Sequence, residues 1–208
     1  MPAARGLSKT LAKSLVYIRS AISEEEQRLL VAHIEPILKK RRYEKGHFDG
    51  VISAYKEVEL IPSQSPPDVR AVLRRLAEQV CLNYDHNPTL QSILPPHIVD
   101  LAADGNISAH VDSVKHGGPI LAGLSLLSTR VMRLEREQNT DKNNEAMFAT
   151  AETAIEQVLH ERSLYMLKDV LRYEYTHSIL GPQDVMIHNH ADTFAFQRRI
   201  SIIFRDKP

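Results

Sequence analysis

From residue 97 to the C-terminus the sequence is a series of short β-type segments separated by turns, and this pattern constrains the fold most. The eight segments are rich in branched and aromatic residues: 98–102, 106–109, 120–127, 131–135, 154–159, 164–167, 172–176 and 200–205. Asp104-Gly105 predicts a hairpin turn between the first two. Many short strands with intervening turn signals are typical of an antiparallel sandwich or barrel.

The first third of the chain carries helical patterns instead. Ser23-Glu24-Glu25-Glu26 is a capping box, and apolar residues then recur at helical spacing, which predicts a helix over 24–40. A strand is predicted over 51–60. A second helix is expected to be capped by Asp68 and to end by Tyr84. Helices from this third are therefore expected to accompany the β-structure.

Composition indicates a single ordinary globular domain. The 208 residues are 43% hydrophobic and 25% charged, which is enough for a sizeable core. Basic and acidic residues number 26 each, so the chain has no general attraction to phosphate backbones, and duplex DNA is not expected as a partner. Cys81 is the only cysteine, so no internal disulfide can form. No apolar run reaches the ~18 residues that a membrane span requires.

The N-terminus has the composition of a mitochondrial transit peptide. Residues 1–23 contain four basic residues and no acidic one, with serine and leucine between them. Residues 15–18 form a predicted first strand, so a removable leader would cover only residues 1–13. The alternative for this segment is a disordered basic tail. Residues 14–208 are expected to form one domain, and the predicted location is the mitochondrial matrix.

His110-Val111-Asp112 and the distant His177 are candidate metal ligands. Alternate residues of a strand project to one face, so His110 and Asp112 can reach the same ion. Two histidines and one carboxylate form the ligand set of non-haem Fe(II) oxygenases, which leaves coordination positions open. A structural zinc would usually take four protein ligands, often thiolates. A His-x-Asp tripeptide also arises by chance, so ordinary surface residues are the alternative.

Arg199 and Arg205 are candidates for binding an anionic co-substrate. Their separation is even, so a strand over 199–205 would place both on one face. The planar guanidinium binds a carboxylate through two hydrogen bonds, which suits this role. The alternative is that each arginine is an exposed cation flanking a core strand.

Other polar clusters have less specific interpretations. His188 and His190 form a possible rival metal pair, but exposed loop histidines are favoured, and His116 is a possible substrate contact or second-sphere donor. The cationic run 39–42 favours a solvated helix end over a nucleic-acid patch. Residues 138–147 are polar and predict an excursion between strands, part of a longer segment over 138–155.

Taken together, these motifs resemble the AlkB family of Fe(II)/2-oxoglutarate dioxygenases. The family motif Arg-x-Asn-x-Thr-Phe-Arg corresponds to residues 199–205, with Ser201 and Ile203 replacing its Asn and Thr. Further strings are similar to the mitochondrial branch of that family: 41–44, 110–115, 122–128, 131–134, 163–165 and 198–201. The resemblance covers residues 15–206.

The resemblance implies an α+β fold, a double-stranded β-helix (jelly roll) with N-terminal helices packed on one sheet. The implied iron ligands are His110, Asp112 and His177. The implied 2-oxoglutarate-binding residues are Tyr165, Arg199 and Arg205. The implied activity is an O2-dependent oxidation that converts 2-oxoglutarate to succinate and hydroxylates a substrate C–H bond.

Three classes of function follow from this resemblance. Relatives that demethylate nucleic acids stack the bound base on aromatic residues, whereas residues 60–96 offer only Tyr84. With zero net charge, this favours a protein or small-molecule substrate. Demethylation of mitochondrial RNA is the first alternative. A metal-bearing interaction module with little turnover is the second, because a fold and a ligand set do not guarantee catalysis.

Overall fold

The structure is a computed structural model that describes residues 9–46, 50–86, 88–115, 117–136, 154–182, 184 and 197–208. The helices within these ranges are α1 (Lys9–Ser14), α2 (Glu24–Leu38), α3 (Pro67–Leu82) and α4 (Asp169–Tyr173). The strands are β1 (Leu15–Ile18), β2 (Glu44–Gly46), β3 (Ile52–Glu59), β4 (His97–His110), β5 (Leu121–Leu126), β6 (Arg130–Arg136), β7 (Ile155–Leu159), β8 (Leu164–Leu167), β9 (Tyr175–Ile179) and β10 (Arg199–Arg205).

The strands form two facing antiparallel layers that share the long strand β4. Strands pair in the order β1-β8-β5-β10-β4-β9-β6-β7, and β3 and β2 extend the sheet beside β4. The first half of β4 pairs with β10, placing Leu101 opposite Arg199, whereas its end pairs with β9, placing His110 opposite His177. We call the layer formed by β1, β8, β5, β10, the first half of β4, β3 and β2 the major sheet. The end of β4, together with β9, β6 and β7, forms the minor sheet. This arrangement confirms the predicted jelly roll.

Helices α2 and α3 cover the outer face of the major sheet. The buried residues that meet there include Leu30, Ile34, Leu76, Val80, Leu124, Ile200 and Phe204. Helix α2 begins at the predicted capping box, where the Ser23 hydroxyl accepts from the Glu26 amide at 3.1 Å. The predicted packing of N-terminal helices on one sheet is therefore confirmed.

The inner face of the major sheet packs against the minor sheet. Its buried apolar residues include Leu101, Leu121 and Ile203, which join Met132, Leu134 and Ile179 of the minor sheet. Because neighbouring residues of a strand point to opposite faces, Arg199, Ser201 and Arg205 lie on the inner face of β10 with Ile203. The inner space between the sheets thus receives the polar residues of this strand.

The predicted hairpin at Asp104-Gly105 is wrong, because β4 continues through both residues. A Cβ added at Gly105 would lie 2.9 Å from the carbonyl oxygens of Ser53 and Ala54. At this place β3 is irregular, and Ala54 adopts a φ of 48°. Glycine is needed here for the close approach of two strands where β4 passes between sheets, and a turn plays no part.

Two further boundaries were predicted wrongly. Residues 172–176 do not form a strand, since α4 extends to Tyr173 and β9 begins at Tyr175. The alternation of Tyr173 and Tyr175 suggested a strand. Arg172 is instead buried in α4, and its burial favours the helix. Asp68 does not cap α3, because Pro66 is the N-cap and Pro67 the first residue, a position that suits proline.

Some predictions concern residues outside the described ranges. They include His116, His188, His190 and most of the 138–155 segment. Within the predicted leader, Lys9–Ser14 forms α1, and Leu11 is buried against the inner core. Among the described residues, no helix has both the length and the apolar character required to cross a membrane.

Candidate active site

The three predicted metal ligands meet at one end of the two sheets. His110 is the last residue of β4, and His177 lies opposite it on β9. Asp112 lies two residues beyond the end of β4, in the loop to β5, so the prediction that it shares a strand face with His110 is wrong. One potential ligand atom from each residue lies within 4.8 Å of the others. The structure therefore brings the predicted triad together.

The charges within this triad suit metal binding. The Asp112 carboxylate lies 3.1 Å from His110 Nε2 and 3.7 Å from His177 Nε2. Burial alone would raise the pKa of Asp112, but the hydrogen bond with His110 and the charge of Arg205 hold it well below its usual range. Burial, together with repulsion from His110, lowers the pKa of His177 to about 3. At neutral pH an ionised carboxylate and a neutral imidazole are the forms that bind a metal.

Arg205 contacts the triad directly. Its Nε and Nη2 each lie 2.9 Å from Asp112 Oδ2, so the guanidinium holds the oxygen that does not face His110. The Arg205 side chain is about one-third exposed, which places it at the open end of the site. The predicted role of Arg205 at 2-oxoglutarate therefore coexists with a contact to a metal ligand.

Arg199 and Tyr165 lie deeper between the sheets. Arg199 is 1% exposed and donates from Nη2 to the Ser125 hydroxyl at 2.9 Å. Among the residues that the structure describes, its Nε has no hydrogen-bond partner and no carboxylate forms an ion pair with it. Burial lowers the pKa of Arg199, while Tyr165 opposes this shift. A buried, unneutralised guanidinium is costly, and an anionic ligand would compensate for it.

Gly123 makes room for Tyr165 and was missed by the sequence analysis. An added Cβ would lie 2.5 Å from Tyr165 Cε1 and 2.6 Å from its hydroxyl oxygen. Gly123 of β5 pairs with Tyr165 of β8, and only glycine at this position allows the Tyr165 ring to lie across β5. A glycine inside a buried apolar strand is itself a signal of such an approach.

Arg130 was also missed. It is fully buried at the start of β6 and donates from Nη2 to the carbonyls of Ala102 at 3.0 Å and Gln197 at 2.8 Å. Burial lowers its pKa to about 10, and the charge of Arg199 adds to that shift. These bonds fix β6 to the part of β4 that passes between the sheets. Sequence alone gives no signal for this role, because arginines at strand ends are usually exposed.

The loop that carries Asp112 is anchored by β10 and by the residues after it. The Asp206 carboxylate accepts a hydrogen bond from the Ile120 amide at 2.9 Å. The main-chain carbonyl of Asp206 accepts one from the Gly118 amide at 3.1 Å. An added Cβ at Gly118 would clash with the Lys207 carbonyl and lie 2.7 Å from Asp206 Oδ1. The close packing explains why glycine stands at this point of the loop.

The donor set fits an iron ion and a dicarboxylate co-substrate. Two imidazoles and one carboxylate provide nitrogen and oxygen ligands, and three protein ligands leave further positions for other molecules. The buried Arg199 on the same inner face is a cation of the kind that would suit a carboxylate of the co-substrate. Fold and site together define the class of jelly-roll, non-haem iron oxygenases.

Solved structures share this fold. A Pseudomonas putida prolyl-4-hydroxylase matches with a TM-score of 0.61 and 11% identity, covering 93% of this chain and 92% of that one. A prolyl hydroxylase from Trichoplax adhaerens, in complex with a hypoxia-inducible-factor peptide fragment, matches with a TM-score of 0.64 and 7% identity, covering 94% and 84%. OsALKBH1 matches with a TM-score of 0.52 and 13% identity, covering 93% and 98%.

Sequence comparison identifies the family. The mitochondrial alpha-ketoglutarate-dependent dioxygenase alkB homolog 7 of Mus musculus is 35% identical over 188 residues, which cover 90% of this chain and 76% of the relative. The Bos taurus counterpart is 35% identical over 187 residues, with the same coverage. No protein-family model matches the chain. The chain belongs to the AlkB family of 2-oxoglutarate (alpha-ketoglutarate) dependent dioxygenases, in the alkB homolog 7 branch.

Membership confirms several predictions. The protein is a 2-oxoglutarate-dependent non-haem iron dioxygenase, and its family uses Fe(II), 2-oxoglutarate and O2. Both relatives are named as mitochondrial proteins, in agreement with the predicted location. The individual roles of the six site residues stay predictions, as does the boundary of the leader.

Proposed function

We propose that the protein hydroxylates a C–H bond of a protein or small-molecule substrate in mitochondria, with His110, Asp112 and His177 as its iron ligands. The observation that carries the proposal is the meeting of these three side chains, with ligand atoms within 4.8 Å, at the end of an inner face that also holds the buried Arg199. Neither feature alone requires a 2-oxoglutarate enzyme. Their combination on one inner face supports the proposal.

The site residues have separate roles in binding the metal and the co-substrate. When bound, Fe(II) and 2-oxoglutarate supply the activation of O2 and the oxidation of the substrate, with release of succinate and CO2. His110 and His177 provide neutral nitrogen donors, and Asp112 provides an anionic oxygen. Arg205 fixes the orientation of that carboxylate through its 2.9 Å contacts. The apolar residues between the sheets exclude water from the reacting groups.

Arg199 and Arg205 reach the co-substrate from opposite ends. Their α-carbons are roughly 20 Å apart, because a strand rises about 3.3 Å per residue. Arg205 lies beside Asp112, so it would contact the part of 2-oxoglutarate nearest the metal ligands. Arg199, whose Nε has no hydrogen-bond partner among the described residues, would bind the far carboxylate, and the Tyr165 phenol would donate a hydrogen bond to the same molecule. The residues that would hold iron and co-substrate thus face the same space between the sheets.

A groove beside the site supports a substrate other than nucleic acid. The inner face of the major sheet continues from β4 onto β3, where Glu57 and Glu59 alternate with Val58, which packs against the helices. The groove measures about 520 Å³ and is lined by Arg41, Glu44, Tyr55, Glu57, Val58, Glu59 and His97. Its three carboxylates and one guanidinium would repel a phosphate backbone.

This groove lies on the same face of the major sheet as Arg205. His97 pairs with Ile203 of β10, two residues from Arg205, and its ring lies 3.0 Å from the Glu57 carboxylate. A substrate that enters over the groove therefore passes acidic groups before it reaches the triad. This environment favours protein segments or neutral and basic small molecules over RNA.

The first experiment asks whether turnover depends on the triad. Purified protein with Fe(II), 2-oxoglutarate and O2 is expected to form succinate, and His110→Ala is expected to form none above background. His160→Ala is the matched control, because His160 lies at the opposite end of the sheets, beside Arg19. If the parent protein forms no more succinate than His110→Ala, and both stay at background, the enzymatic assignment is overturned and the interaction module is favoured.

The second experiment identifies the substrate. Mitochondrial peptides, metabolites and RNAs are compared after incubation with active protein and with Arg199→Ala. A hydroxylated peptide or small molecule formed only by the active protein is the expected result. Loss of methyl groups from RNA, with no oxidised peptide or metabolite, would establish the RNA demethylase alternative, for which the exposed cations at 39–42 provide a possible contact.

A further inference from the structure

Asp112 is held differently from the two histidines of the triad. His110 and His177 belong to paired strands, so the hydrogen bonds of the sheet fix their backbones. Asp112 lies in the loop between β4 and β5, beyond the strand ladder. Its position must therefore come from contacts of the loop itself.

Arg172 of α4 provides such contacts. Its Nη1 donates to the main-chain carbonyl of Asp112 at 2.8 Å, and its Nη2 donates to the carbonyl of Gly118 at 3.3 Å. An added Cβ at Gly117 would lie 3.8 Å from Nη2, so the loop passes close around the guanidinium. One planar group thus joins the beginning and the end of the loop segment 112–118.

The environment of Arg172 indicates a specific role. The residue is 3% exposed, and among the described residues no carboxylate forms an ion pair with it. Its contacts are two main-chain carbonyls and the ring of Tyr173, 5.2 Å from the guanidinium carbon, so it contributes little to stability after the cost of its desolvation. Arg205 holds the Asp112 carboxylate from the other side, so the two arginines fix different parts of the same residue.

Arg172 also connects two ligand-bearing segments. Helix α4 leads directly into β9, which carries His177, whereas the bound loop carries Asp112. We propose that Arg172 is a positioning residue that joins the Asp112 loop to the His177 strand and so arranges the triad before the metal binds. The inference rests on the ligand assignment of the proposed function.

Lysine at this position provides the sharpest test. It keeps the charge, but its single nitrogen lacks the planar fork that spans the two carbonyls. The affinity for Mn²⁺, a redox-stable substitute for Fe(II), is measured by titration calorimetry without 2-oxoglutarate. Arg172→Lys is expected to raise the Kd by about 10- to 100-fold, the usual effect of losing a partner of a metal ligand.

Two further variants and a control make the result decisive. Arg172→Gln is measured alongside and should raise the Kd similarly, so the test does not depend on the folding of one variant. Arg136→Lys is the control, because Arg136 forms an exposed ion pair with Glu174, the residue between α4 and β9, and within the described part of the chain contacts no ligand-bearing loop. Its Kd should equal that of the parent protein. The melting temperatures of the metal-free variants identify any loss of folding.

The outcomes separate this inference from the proposed function. A parent-like Kd in a folded Arg172→Lys or Arg172→Gln variant, with metal binding lost in Asp112→Ala, would overturn the role of Arg172 and leave the ligand assignment intact. A parent-like Kd in Asp112→Ala would overturn the ligand assignment and this inference with it. A raised Kd in both Arg172 variants, with Arg136→Lys unchanged, supports the positioning role.

Discussion

The two faces of β10 differ in their side chains, and Ile203 is the one apolar residue of the strand on its otherwise polar inner face. Toward the helices the strand presents Ile200, Ile202 and Phe204, all of them buried in an apolar layer. Toward the minor sheet it presents Arg199 and Arg205, one buried and one at the metal end of the site. Because the side-chain period of a strand is two, stability and chemistry can be assigned to opposite faces of one seven-residue segment. We call the face toward the helices the helix face and the face toward the minor sheet the site face. The two should respond differently to substitution.

The strongest test is Asp112→Ala, because the Asp112 carboxylate contacts Arg205 of the site face. We expect turnover to fall to background, because an anionic metal ligand is lost, while the metal-free melting temperature stays close to that of the metal-free parent. Succinate formation and calorimetry of both proteins measure these effects. A large fall in the metal-free melting temperature would mean that Asp112 also supports the fold, contrary to the separation of roles.

The helix face is tested by Phe204→Ala. Truncation of this 1% exposed side chain should lower the free energy of unfolding by about 3–5 kcal/mol, the usual cost of a large-to-small change in a core. Chemical denaturation measures the loss. In the folded fraction, the KM for 2-oxoglutarate should remain near that of the parent, and a tenfold rise in KM with unchanged stability would reverse the assignment of the faces.

Arg199→Ala tests the buried end of the site face. Removing the cation that receives the far carboxylate should weaken 2-oxoglutarate binding by on the order of 100-fold, since loss of one partner of a buried charge pair costs about 2–5 kcal/mol. Mn²⁺ affinity in the absence of 2-oxoglutarate should change little. An unchanged KM for 2-oxoglutarate would show that another group binds its far carboxylate.

Gly123→Ala asks whether the site face depends on backbone space. The added methyl group must displace the Tyr165 ring, so we expect 2-oxoglutarate to bind on the order of 10-fold more weakly. Titration of the Mn²⁺-loaded protein with 2-oxoglutarate measures the change. Tyr165→Phe is the comparison, and if it binds like the parent while Gly123→Ala does not, displacement of the ring rather than its hydroxyl explains the loss.

The smallest effect concerns the groove that extends the inner face onto β3. The double variant Glu57→Gln/Glu59→Gln should bind unmethylated RNA a few-fold more tightly at low salt, because two charges that repel phosphate are removed. Fluorescence anisotropy at two salt concentrations measures the change. Weaker RNA binding than in the parent would contradict the electrostatic argument against a nucleic-acid substrate.

The predicted helices and strands agree with the structure where local signals are strong. The capping box at Ser23 predicted the start of α2, and the even separation of Arg199 and Arg205 predicted that both lie on one face of β10. Prediction failed at Gly105 and Arg172, where the same local pattern suits two conformations. At both positions contacts with distant segments, Ser53 and Ala54 in one case and Gly118 in the other, decide the backbone.

The sequence by itself determined the chemistry of the site. It specified two histidines, a carboxylate and two arginines whose even separation places both on one face of a strand. These properties depend on residue type and on the period of a strand, both of which are local. The tertiary structure alone decided that β4 passes between the sheets, that Gly123 accommodates Tyr165 and that Arg172 joins the Asp112 loop to β9. Such contacts join residues that are far apart in the chain, and no local pattern encodes their distance.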